Sequence, residues 1–124
     1  MSRHTEADRL LRLIVAARRS CERCHGLNGP GSQVAHIVRR RYTATRWLED
    51  NVWWLCVGCH HAVDNHAAEH DLLVAETIGE GRLGQLLRLA DAGPAMSASL
   101  WAAQERDRLR RRCRQLDIPL RGAA

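Results

Sequence analysis

Two Cys-x-x-Cys pairs carry the most specific chemistry in this sequence: "CERC", with Cys21 and Cys24, and "CVGC", with Cys56 and Cys59. A two-residue spacer lets both thiolates of a pair turn toward one ion, and four thiolates complete a tetrahedral zinc shell. For either pair alone, a redox dithiol is the competing reading. Two pairs with short apolar runs between them favour a shared zinc. Four protein ligands leave no position for water, so this ion is expected to be structural. The fifth cysteine, Cys113, has no partner at ligand spacing and reads as a small buried side chain.

A second constellation follows directly, in "HHAVDNH" at 60–66. If a helix starts near Cys59, His60 and Asp64 are four apart and share a face. A ring nitrogen and a carboxylate on one face could hold a divalent ion, with His36 facing it from a strand and Asn51 tying the connecting loop. Each residue also has a plainer reading. His36 could be a satisfied strand histidine, and His60 a hydrogen-bonding shield of the zinc knuckle. Asp64 could be a helix-start charge, and Asn51 a turn residue. His61 is offset around the helix, His66 reads as solvent-facing or a cap, and His25 and His70 join no cluster.

The elements that must position these groups can be read from periodicity. "TEADRLLRLIVAARR" at 5–19 predicts a helix, with Thr5 and Asp8 resembling a capping box and Leu10, Leu11, Ile14 and Val15 forming its apolar stripe. "GLNGPG" at 26–31 is a turn region, "QVAHIV" at 33–38 a short strand, and "NVWWLC" at 51–56 a second strand or knuckle entry. Helices are expected over 67–77 and 85–92, with "GEGRLG" as a break between them. A last helix, capped by Ser97 or Ser99, runs to about Leu116, and "DIPLRGAA" reads as a frayed tail.

Bulk properties bound the rest. A chain of 124 residues suits one domain with a modest core. With no Phe and one Tyr, four Trp carry the aromatic packing, and a metal staple is a common supplement to such a core. No apolar run approaches the roughly 18 residues of a membrane helix. The N-terminus lacks the pattern of a signal peptide, so a reducing, cytoplasmic setting is expected, in which paired cysteines read as metal ligands. The net charge is +5, and every basic residue among the 19 is Arg. Forked guanidinium groups suit phosphate, although a compositional bias toward Arg is the blander explanation.

Taken together, Cys-x-x-Cys, "AHIVRRRYTATRWLEDN" and "DNVWWLCVGCHHAVD" resemble the zinc-clipped HNH endonucleases, and especially a phage-associated branch of them. The likeness covers residues 20–66. It implies an α+β fold: a small beta-beta-alpha-metal core with a four-cysteine structural zinc, flanked by an N-terminal helix and C-terminal helices. It divides the chain into a helix at 1–19, the core at 20–66 and a helical extension of the same domain at 67–124. It further implies a metal-dependent DNA endonuclease leaving 5′-phosphate and 3′-hydroxyl ends. His36 would be the general base, Asn51 would orient the loop or His36, and His60 and Asp64 would ligate a catalytic cation, Mg²⁺ or Mn²⁺ first, then Ni²⁺ or Zn²⁺. The chain departs from the family pattern at Ala35, which stands where many members carry a metal-ligating Asp or His.

DNA is the partner this resemblance implies, held by Arg39, Arg40, Arg41 and Arg46 after the first strand and by Arg108, Arg111 and Arg112 on the last helix. A bacterial host cell, with a phage-encoded chain, is the implied setting, and either a monomer or a homodimer would serve. The rival reading is a non-catalytic, zinc-stabilised nucleic-acid-binding protein with a degenerate HNH site. A zinc-held protein-interaction module is the third.

Overall fold

The computed structural model describes residues 3–27 and 29–120. Its elements, in chain order, are α1 (Arg3–Ala16), β1 (Gln33–His36), a 3-10 turn at Glu49–Asn51, β2 (Val52–Leu55), α2 (Val57–Asn65), α3 (Ala67–Glu76), α4 (Gly79–Ala92) and α5 (Ala98–Gln115). The strands pair antiparallel, with Gln33 opposite Leu55, Val34 opposite Trp54, Ala35 opposite Trp53 and His36 opposite Val52.

Alternation along this hairpin separates two apolar layers. Val52 and Trp54 face the side where Leu10, Leu11 and Ile14 of α1 meet Leu109 and Cys113 of α5. Ala35, Trp53 and Leu55 face the other side, against Cys59 and Val63 of α2 and Leu73 and Val74 of α3. A two-stranded hairpin alone is marginal in water, and here it is covered on both faces. Each fully buried Leu or Val in these layers contributes about 1.5–3 kcal/mol. The fold is therefore a small α+β unit: a hairpin between an N- and C-terminal helix pair and a second pair of helices.

The buried tryptophans find partners for their N–H groups. Trp53 Nε1 donates to Thr77 Oγ1 (2.9 Å), and Trp47 Nε1 to Asp8 Oδ1 (2.8 Å). The half-buried Trp101 donates to the Thr43 carbonyl (2.7 Å). Indoles so placed pack their rings without orphaning a donor.

Several local expectations change. The helix α1 begins at Arg3, so Asp8 lies inside it and its carboxylate serves tertiary contacts instead of a cap. "GEGRLG" is no break: α4 starts at Gly79, whose φ of 79° turns the chain out of α3, and runs through the glycines. Burial of Leu86 and packing of Leu83 offset the poor helix propensity of Gly81 and Gly84. Ser97 is the cap of α5, accepting from the Leu100 N–H (3.3 Å). The C-terminal segment is tied down as far as Leu120, whose carbonyl accepts from Arg9 Nη1 (2.8 Å). The rest of the expected frayed tail lies outside the described residues. No described helix is long and apolar enough to cross a membrane.

Candidate metal centre and the arginine-rich loop

The four ligand cysteines come from two places that the hairpin brings together. Cys21 and Cys24 sit in a knuckle after α1, closed by Cys21 N–H to the Gly26 carbonyl and His25 N–H to the Cys21 carbonyl, both 2.8 Å. Cys56 follows β2 directly as the N-cap residue of α2, and Cys59 lies in the first turn of that helix. The knuckle is sewn to β2: Glu22 N–H donates to the Trp54 carbonyl (2.9 Å), and the Glu22 carboxylate accepts from the Trp54 N–H.

All four sulfurs lie within 4.8 Å of one another, with Cys24 and Cys56 Sγ 3.9 Å apart. Four sulfurs about 2.3 Å from one tetrahedral ion stand about 3.8 Å apart, so this cluster fits zinc. Its electrostatics also ask for a cation. Burial opposes ionisation of Cys21, but hydrogen bonds with the backbone at Cys24, Cys56 and Arg23 prevail and lower its pKa to about 6. Burial pushes the Cys59 thiol up to about 12. Four crowded thiols cannot all ionise unaided, whereas a bound Zn²⁺ holds them all as thiolates. Arg23 adds outer support, donating to Cys59 Sγ (3.4 Å) and to Glu69 of α3 (2.9 Å).

The second metal site does not assemble, and this corrects the nuclease expectation. Among the described residues, the four cysteines are the only group of three or more His, Cys, Asp or Glu side chains gathered closely enough to hold an ion. The reason is strand parity. Helix α2, which carries His60 and Asp64, covers the sheet face presented by Ala35, Trp53 and Leu55. His36, one residue further along β1, points to the opposite face and lines a groove with Asp8, Leu11 and Arg12 of α1. The β1 residue on the α2 side is Ala35, a methyl with no donor. His60 Nε2 and Asp64 Oδ2 do meet, at 3.2 Å, but as a pair on one helix with no third ligand among the described residues.

The expected catalytic cation, Mg²⁺, Mn²⁺, Ni²⁺ or a second Zn²⁺, therefore has no ligand group among the described residues, which overturns the endonuclease activity, the enzyme assignment and the phage association implied by the same motif. His36 does something else. Its Nε2 bonds the Arg46 carbonyl (2.9 Å), which can only accept, so Nε2 carries the proton. Burial lowers the pKa of His36, against the pull of that hydrogen bond and of Asp8, and favours the neutral ring. Asn51 is fully buried and closes the loop between the strands. Its Oδ1 accepts from the Val38 N–H (2.8 Å), and its Nδ2 donates to the carbonyls of Val38 (3.1 Å) and Thr45 (3.0 Å).

The arginines divide into structural and available groups. Arg46 is only 13% exposed and grips Asp8 with two bonds, of 3.0 and 2.6 Å. Arg108 bonds Glu105 (2.7 Å) and the Trp47 carbonyl (2.9 Å), and Arg112 bonds Glu49 (3.1 Å). Arg40 pairs with Asp8 at 2.9 Å, yet its side chain is 64% exposed. Arg41 lies over the Tyr42 ring at 4.8 Å and bonds its hydroxyl (2.8 Å). Arg39 and Arg111 are exposed and have no carboxylate partner among the described residues.

Two contributors escape sequence reasoning. Asp8 looks like a capping residue but is the hub that fixes the loop. His70, which fits no motif, reaches the Ile37 carbonyl (3.3 Å) and stands edge-on to Trp53 at 5.3 Å, locking α3 to the loop's start. Helical spacing placed neither partner.

No protein-family model, no curated protein and no solved structure matches this chain.

Proposed function

We propose that this chain is a non-catalytic, zinc-stabilised nucleic-acid-binding protein, built on a scaffold like that of the zinc-clipped HNH proteins but with a degenerate second site. DNA is the partner. The observation that carries this reading is the arginine loop after β1. Arg39, Arg40 and Arg41 are consecutive and exposed, and neither Arg39 nor Arg41 is neutralised by a carboxylate among the described residues. Meanwhile the loop beneath them is pinned by Asn51 and Asp8. Exposed guanidinium groups on a rigid loop are suited to phosphate, since little ordering entropy is lost on contact. Arg111 on α5 offers a further contact, while Arg46, Arg108 and Arg112 support the fold. Such contacts position a backbone without reading its sequence.

In this reading 1–19, 20–66 and 67–124 are parts of one domain, because α1 and α5 share one apolar layer. Paired cysteines that serve as zinc ligands and not as disulfides suit a reducing compartment such as the cytoplasm.

The test is fluorescence anisotropy of labelled duplex and single-stranded DNA over a salt series. Binding in the range of roughly 10⁻⁴–10⁻⁶ M at physiological salt is expected, weakening steeply as salt rises. The double variant R39A/R41A should lower the slope of log K against log salt by about 2. Absence of binding at low salt, or a slope untouched by the double variant, would overturn the reading.

A further inference from the structure

The groove between α1 and β1 has a chemistry of its own, on the sheet face opposite α2. It encloses about 430 Å³, within the roughly 300–1,000 Å³ typical of small-ligand pockets. Arg12 and Arg40 supply two positive charges against the single carboxylate of Asp8, Gln33 an amide, and Leu11 and Val34 an apolar wall, with His36 beside them. The Arg12 guanidinium stands 5.6 Å over the Trp54 ring and has no carboxylate partner among the described residues. Arg40 is bonded to Asp8, but so exposed a pair is weak in water, and Asp8 keeps Arg46 and Trp47 if Arg40 turns away.

His36 gives the groove a directional acceptor. With Nε2–H committed to the Arg46 carbonyl, the neutral ring leaves its lone pair on Nδ1. Among the described residues no buried side-chain polar atom lacks a partner and none is recorded on Nδ1, so this nitrogen is not sealed from solvent, and His36 lines the groove. Cations beside an acceptor, an amide and an apolar wall match a phosphate joined to a sugar and a base: the phosphate takes the guanidinium groups, and a hydroxyl or exocyclic amine donates to His36.

We propose that this groove holds one unpaired nucleotide of a single strand, with its phosphate on Arg12 and Arg40 and its base or sugar against His36, Gln33 and Val34. The proposal rests on the nucleic-acid reading above and adds a strand preference to it. In a duplex, pairing occupies the Watson–Crick edges and stacking covers the base faces, whereas an unpaired nucleotide offers both to a groove of this size.

The test uses the zinc-loaded full chain in NMR titrations with a single strand of about eight nucleotides, the matching duplex, AMP and inorganic phosphate. The single strand should shift the His36 ring and the Gln33 and Val34 amides, and inorganic phosphate should do so only weakly. The R12Q/Q33A variant alters two exposed side chains, and its fold and zinc content can be verified directly. It should weaken single-strand binding by about tenfold and leave duplex binding unchanged. Silence of the groove while the strand binds elsewhere would overturn the proposal and leave the nucleic-acid reading standing. AMP binding there as tightly as the strand would overturn the strand as occupant. Failure of both strand and duplex to bind would overturn both readings.

Discussion

Asp8 and Arg46 form a two-point ion pair, at 3.0 and 2.6 Å, between a helix and a loop 38 residues apart in sequence. The same carboxylate accepts from the Trp47 indole, so one side chain of α1 holds the loop that carries the exposed arginines. Those hydrogen bonds outweigh the cost of burial and keep the Asp8 carboxyl below its usual pKa. Asp8→Ala would strand a nearly buried guanidinium and an indole N–H. It should cost about 2–3 kcal/mol, read as a lower urea midpoint with an unchanged m value. An unaltered midpoint would mean that the loop is held by other contacts.

Zinc content is the most direct check on the cysteine cluster. Native mass spectrometry should find one zinc per chain. Cys24→Ser or Cys56→Ser should lose it and much of the thermal stability, since zinc binding is coupled to folding of such knuckles. Cys113→Ser should retain the metal, because Cys113 is buried against α1 and remote from the cluster.

Arg23 should tune how firmly that zinc is held. Four thiolates around Zn²⁺ leave a net negative charge, which the Arg23 guanidinium at Cys59 partly offsets. Arg23→Ala should keep one zinc per chain but release it to a competing chelator about tenfold more readily. Equal release from both proteins would make Arg23 a partner of Glu69 alone.

His36 gives a pH dependence of definite sign. Its pKa is lower in the fold than the ordinary 6.5, because burial penalises the charged ring. Below about 6.5 the unfolded chain therefore binds more protons than the folded one. The stabilisation is complete above that pH and is lost as pH falls toward the folded pKa. His36→Gln keeps a donor for the Arg46 carbonyl and removes the titration, so its stability should fall less than the wild type's between pH 7 and 5. Zinc content measured in parallel separates acid release of the metal. Parallel curves for the two proteins, at equal zinc content, would show that His36 does not contribute.

The zinc clip was legible in the sequence because its geometry is local. Two-residue spacers set each knuckle, and the strand before Cys56 carries the second knuckle to the first. The same local rules marked the first strand, a cap at Ser97 or Ser99, of which Ser97 is the one used, and tryptophan as the main aromatic packing. The second site was misread because it required His36, His60 and Asp64 to converge across the fold. Helical spacing does put His60 beside Asp64, but it says nothing about which face of β1 meets α2.

That choice belongs to the tertiary structure. A strand turns alternate residues to opposite faces, so a shift of one residue decides whether Ala35 or His36 looks at α2. Here α1 and α5 claim the face of His36, Val52 and Trp54, while α2 and α3 claim that of Ala35 and Trp53. The sequence by itself determined the ligands of one metal and a surplus of arginine. Packing decided which arginines among the described residues keep no carboxylate partner, because each carboxylate within reach, Asp8, Glu49 or Glu105, takes the guanidinium that folding brings to it.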